Sequence, residues 1–130
     1  MRFLKFYKQP LPAYQIPEFH PDNDLLDIVK LREEIREAGS PIPLLKGARE
    51  TSNDILNIRY KEEQSIEQIV RGRAWVVDEI LKLAWKALNW PDPSEICLIA
   101  VGGYGRGELL PHSDVDLLVL TKNGWNKKYR

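Results

Sequence analysis

Four glycines fall within six residues, at Gly102, Gly103, Gly105 and Gly107, and a short apolar run lies on either side of them. The first run, Ile96-Cys97-Leu98-Ile99-Ala100-Val101, is bounded by turn residues and carries β-branched members, and its length suits a strand buried on both faces. Val115 and Leu117-Leu118-Val119-Leu120 form a second apolar strand that begins with two acids, Asp114 and Asp116. Glu108-Leu109-Leu110, ended by Pro111, reads as one helical turn between the strands. A tight connection with positive φ accounts for one or two glycines. Four let bare backbone N–H groups approach a phosphate closely.

The acids give the turn its meaning. In a strand, residues i and i+2 point to one face with Cα atoms roughly 6–7 Å apart, so Asp114 and Asp116 project together and Val115 points away. Two like charges side by side repel, and a divalent cation is the usual reason for them to persist. Oxygen-only ligands suit Mg²⁺ or Mn²⁺, and Mg²⁺ takes one or two carboxylates plus substrate phosphates. Taken alone, Asp-x-Asp is a common solvated strand start; the glycine turn ahead of it points to phosphoryl or nucleotidyl transfer. Arg106 suits either a bidentate phosphate contact or a surface ion pair with Glu108. A Walker A loop is excluded because Glu108 follows Gly107, and a dinucleotide fingerprint is one residue short with no long helix after it.

The preceding residues read as mostly helical. Pro10, Pro12, Pro17 and Pro21 make residues 1–23 an extended arm. A helix is predicted over 24–38, with Leu25, Ile28, Val29, Arg32 and Ile35 on one face, Asp22 or Asn23 as cap and Gly39 as stop. Pro41 and Pro43 predict a break. A second helical tract is predicted over 54–88, and the capping-box spacing of Ser65-Ile66-Glu67-Gln68 makes it two helices meeting near residue 64. Trp75, Trp85 and Trp90 read as packing residues, Cys97 as a small apolar core residue and His112 as a solvent-facing turn residue.

Composition narrows the class. The 130 residues suit one domain. Nineteen basic and nineteen acidic side chains leave no net charge, so a nucleic-acid partner is not expected. No apolar run approaches the ~18 residues of a membrane span, and the start lacks a secretion signal's apolar centre. One cysteine permits no disulfide framework and no thiolate metal site. A cytoplasmic chain is expected.

Gly102-Gly103, ten residues, then Asp114-Val115-Asp116 resembles the signature of the polymerase-β-like nucleotidyltransferase superfamily. The string VGGYGRGELLPHSDVDLLVL, and RGRAWVVDEILKLAW at residues 71–85, are similar to the PII uridylyltransferase family within it. The resemblance implies an α+β fold: a helical N-terminal region, then the first strands of a mixed nucleotidyltransferase sheet, incomplete at the C-terminus. The arm at 1–23 would precede a partial nucleotidyltransferase domain at 24–130 with its core motif at 96–120. It further implies that Asp114 and Asp116 are the catalytic pair and hold Mg²⁺ or Mn²⁺, that Gly102 and Gly103 seat the triphosphate of UTP, and that Arg106 and Ser113 contact phosphate oxygens. UMP would pass to a tyrosine of the PII regulatory protein. The superfamily uses a third carboxylate on a later strand, and no acid follows Asp116, so the chain is expected to be an N-terminal fragment, inactive or impaired alone, with an exposed apolar sheet edge. Two alternatives stay open: a non-catalytic remnant that binds nucleotide or protein, and an adenylyl-transferring relative, because the motif grips phosphate and metal rather than the base.

Overall fold

The computed structural model describes Arg2–Phe3, residues 20–124 and residues 127–129. Most of the proline-rich arm therefore lies outside the described residues. Three helices come first: α1 (Ile28–Glu37), α2 (Ile42–Lys61) and α3 (Ile66–Ala87). A small antiparallel sheet joins β1 (Arg2–Phe3), β2 (Ile96–Ala100) and β3 (Leu117–Thr121) in the order β1-β2-β3. One helical turn, α4 (Gly102–Gly105), lies between β2 and β3. Helices segregated from an antiparallel sheet make this an α+β fold.

The first helix begins later than its periodicity predicts. Asp22 organises a turn instead: its carbonyl accepts from Leu25 and Leu26 N–H, and its Oδ1 accepts from Leu25 N–H. The helix starts after Asp27, whose side chain caps Lys30 N–H. Its buried stripe is also rotated from the predicted one. Leu31 is buried, with Ile28 and Ile35 packed beside it, whereas Val29 and Arg32 are exposed.

The break expected at Pro41 and Pro43 is the start of α2, twelve residues ahead of the predicted position 54. Pro41 is the N-cap and Pro43 the second helical residue, where an amide needs no intrahelical acceptor and a fixed φ near −65° is already helical. The helix stops at Glu62, and Glu63 takes a left-handed φ of 63°. The third helix begins after Ser65, whose hydroxyl accepts from Gln68 N–H at 3.2 Å, at the capping-box position.

Two apolar clusters hold these elements. The first joins the three helices through Leu25, Leu31, Leu45, Leu56, Ile69 and Val76. Ser52, almost fully buried, has its one Oγ–H within 2.8 Å of the carbonyls of both Leu25 and Ala48, which share it, and ties the Asp22 turn to α2. The second cluster sets Ala74 and Val77 of α3 against Leu98 and Ala100 of β2. Trp85 packs on its margin with its ring 4.5 Å from that of Trp90. Opposite Leu98 and Ala100 stand Val119 and Leu117, so these four share the face toward α3. Leu117, Leu118, Val119 and Leu120 are nonetheless 39%, 46%, 42% and 54% exposed: β3 is a sheet edge with apolar side chains open on both faces. Among the described residues, no helix is long and apolar enough to cross a membrane.

Candidate active site

The site forms where β2 runs out. Ala100 is fully buried, and the chain turns at Val101 into the glycines. Val101 N–H donates to the carbonyl of Asp116 at 3.1 Å, which carries the β2–β3 ladder one step past the strands. The two acids therefore lie on the extended segment leading into β3, which itself begins at Leu117.

The helical turn expected at 108–110 is instead at Gly102–Gly105, inside the glycines. The turn is closed by backbone bonds. Gly105 N–H donates to Val101 O at 2.8 Å, Gly107 N–H to Tyr104 O at 2.9 Å and Glu108 N–H to Gly103 O at 3.1 Å. The amides of Gly102 and Gly103 lie ahead of these bonds. Gly102 has φ 64°, a conformation that L side chains rarely adopt. A β-carbon placed on it would sit 2.7 Å from Asp116 Oδ2. The glycine is thus required twice, by its φ and by the carboxylate beside it.

The other predicted residues are distributed around this contact. Gly103 faces the carbonyl of Glu108 and Nη2 of Arg106, at 3.4 and 3.6 Å from a notional β-carbon. Arg106 Nε lies 3.7 Å from Glu108 Oε2, an ion pair with both side chains more than half exposed. Exposed pairs of this kind contribute about 0–1 kcal/mol, so Arg106 is cheaply released to another anion. Ser113 is exposed and its N–H donates to Leu110 O at 3.2 Å; His112 before it is exposed, with φ 61°. Asp114 is exposed. Among the described residues, no backbone hydrogen bond joins Ser113 or Asp114 to Gly102 or Asp116.

A divalent cation fits what is present without being enclosed by it. Asp114 and Asp116 are exposed carboxylates with oxygen-only donors. No group of three or more His, Cys, Asp or Glu forms that could hold a metal among the described residues. Two carboxylates suit an ion that keeps waters and takes phosphate oxygens for the rest of its shell.

Tyr104 and Asp78 are absent from the sequence prediction. Tyr104 is the one non-glycine residue of α4, it is 1% exposed, and its hydroxyl donates to Asp78 Oδ1 on α3 at 2.6 Å. A single aromatic residue inside a glycine turn was the available signal; the 26-residue separation from Asp78 hid its partner.

Residues 81–130, which contain the glycine turn and both acids, match the family model of the nucleotidyltransferase domain. That segment is thus similar to nucleotidyltransferase domains. Over 109 residues, 84% of its length, the chain is 43% identical to the bifunctional uridylyltransferase/uridylyl-removing enzyme of Azotobacter vinelandii. Over the same share it is 42% identical to the enzyme of that name from Pseudomonas putida strain W619 and 41% identical to that of Pseudomonas savastanoi pv. phaseolicola. The chain spans about 12% of the length of these relatives. No solved structure matches it.

Proposed function

We propose that this chain supplies the glycine turn and the first two carboxylates of a uridylyltransferase, which moves UMP from UTP to a tyrosine of a PII-type regulatory protein. The observation that carries the reading is the packing of Gly102 against the Asp116 carboxylate, within a segment of nucleotidyltransferase sequence. The identity to uridylyltransferases supports uracil over adenine as the base.

In this reading the tyrosine oxygen forms a bond to the α-phosphorus, the bond from that phosphorus to the bridging β-phosphate oxygen breaks, pyrophosphate leaves and the phenol proton passes to solvent. Asp114 and Asp116 hold Mg²⁺ or Mn²⁺, which supplies charge neutralisation at the phosphates when bound. Gly102 and Gly103 leave room for the triphosphate to approach backbone amides. Arg106 exchanges Glu108 for a phosphate oxygen, and Ser113 offers its hydroxyl to another.

The test is transfer of label from α-³²P-UTP to a PII-type protein by the full-length gene product with Mg²⁺. Asp114→Asn and Asp116→Asn are expected to abolish transfer. Label accepted equally from ATP would instead favour an adenylyl-transferring relative. Binding without turnover is a second reading, favoured by one observation: among the described residues no three His, Cys, Asp or Glu side chains group so that they could hold a metal ion. Nucleotide binding by the full-length product with no transfer to any protein would select it.

A further inference from the structure

The Gly102–Gly105 turn has one side chain with which to hold on to the rest of the molecule. Tyr104 supplies it, with its ring among Ala74, Val77, Leu98 and Leu109. Glycine is conformationally permissive, so three glycines in four residues leave a turn with many accessible shapes unless something outside it selects one. The selection comes from α3, at two points. Tyr104 Oη–H donates to Asp78 Oδ1 at 2.6 Å, and past the glycines Leu109 N–H donates to Val70 O at 3.3 Å. Eight residues separate the two anchors, about 12 Å along the helix. The turn is slung between them, and Gly102, which faces the Asp116 carboxylate, is two residues from the Tyr104 anchor.

Burial makes the Tyr104 anchor strict. A phenol hydroxyl almost out of contact with water needs an acceptor, and a carboxylate makes the stronger, shorter kind of bond. We infer that Asp78 and Tyr104 are a positioning pair: the hydrogen bond from Tyr104 to Asp78 holds the glycine turn in the shape that receives a nucleoside triphosphate beside Asp116. This inference rests on the nucleotidyl-transfer reading above and adds two residues to it. Neither side chain touches substrate. They act through the backbone of Gly102 and Gly103, as a rigid element supports a binding loop.

The experiment measures Mg²⁺–UTP binding to the full-length gene product by calorimetry, with amide hydrogen exchange of residues 102–109 followed in the nucleotide-free protein. Tyr104→Phe removes only the hydroxyl, and Asp78→Ala removes the carboxylate that accepts from it. Each is expected to weaken binding by about tenfold or more, the loss of one charge-assisted hydrogen bond. The double variant should fall clearly short of the sum of the two singles, because both remove the bond the two residues share. Asp78→Asn, which keeps an acceptor oxygen, should recover most of the affinity. Exchange should rise at 102–109 and stay unchanged in α2, which separates loosening of the turn from loss of the fold. Singles that bind as wild type, or effects that simply add, overturn the inference while the proposed function stands. A wild-type protein that binds no nucleoside triphosphate overturns both.

Discussion

Asp116 Oδ2 lies 2.7 Å from the position a β-carbon on Gly102 would occupy, and the same glycine holds φ at 64°. Alanine at this position therefore meets two obstacles. Left-handed φ costs about 1–2 kcal/mol for a residue with a β-carbon, and the methyl group displaces a carboxylate. Gly102→Ala is expected to lower stability by about that amount and to cut nucleotidyl transfer by about a hundredfold, the penalty of a misplaced reacting group. Urea denaturation and the labelled-UTP assay of the full-length gene product read the two effects separately. Full transfer by the variant would remove the argument for this contact.

What the sequence disclosed about this site is what lies close in sequence. Gly102, Gly103, Asp114 and Asp116 sit within fifteen residues, and the turn between two strands follows from glycines and β-branched runs. The Tyr104–Asp78 bond spans 26 residues and depends on how α3 lies over the sheet, which no local pattern encodes. The start of α2 escaped for another reason: proline breaks a helix interior but favours its first turn, and the residues around Pro41 and Pro43 suit either outcome. The face of α1 was misjudged because Leu31 and Val29 are both apolar, and packing against α2 and α3 chose Leu31.

Asp22 and Arg59 form the shortest link between the first turn and α2, with Nη1 and Oδ2 at 2.6 Å and both side chains largely covered. Hydrogen bonding from Arg59 holds the Asp22 carboxyl below its ordinary value of 3.8, against the opposing effect of burial. A depressed folded value means the pair's contribution is complete above the unfolded pKa of about 3.9 and is lost as pH falls through the lower folded value. Asp22→Asn keeps the acceptor for Leu25 N–H but loses the charge. It should cost about 1 kcal/mol at pH 7, and the gap to wild type should close below about pH 4. Denaturation curves of both proteins between pH 7 and pH 3 check this; a gap that widens on acidification contradicts it.

Strand β3 presents apolar side chains on both faces at an edge that is unpaired among the described residues. Such an edge recruits other chains. The 130-residue polypeptide is expected to associate as its concentration rises. Leu118→Lys with Leu120→Lys, on the face away from α3, should suppress this without changing helix content. Sedimentation velocity across a tenfold concentration range, with circular dichroism, measures both. A wild-type chain that stays monomeric throughout refutes the expectation.

Arg73 is a cation inside the helical layer, 7% exposed. Its guanidinium donates to the side-chain carbonyls of Asn53 and Asn57 on α2, its Nε has no partner, and no carboxylate pairs with it among the described residues. Burial pushes its pKa down, and the like charge of Arg49 adds to that effect. A buried cation held only by neutral amides contributes little net stability, since its desolvation offsets its hydrogen bonds, but stranding it is costly. Asn53→Leu is therefore expected to destabilise by about 2 kcal/mol, because it leaves charged donors unmatched. Arg73→Met, which removes the charge and keeps much of the volume, should cost less. In the Arg73→Met background Asn53→Leu should become nearly neutral, a coupling of at least about 1 kcal/mol between the two positions. A double-mutant cycle by urea denaturation measures that coupling, and strict additivity would mean that the guanidinium is not what Asn53 supports.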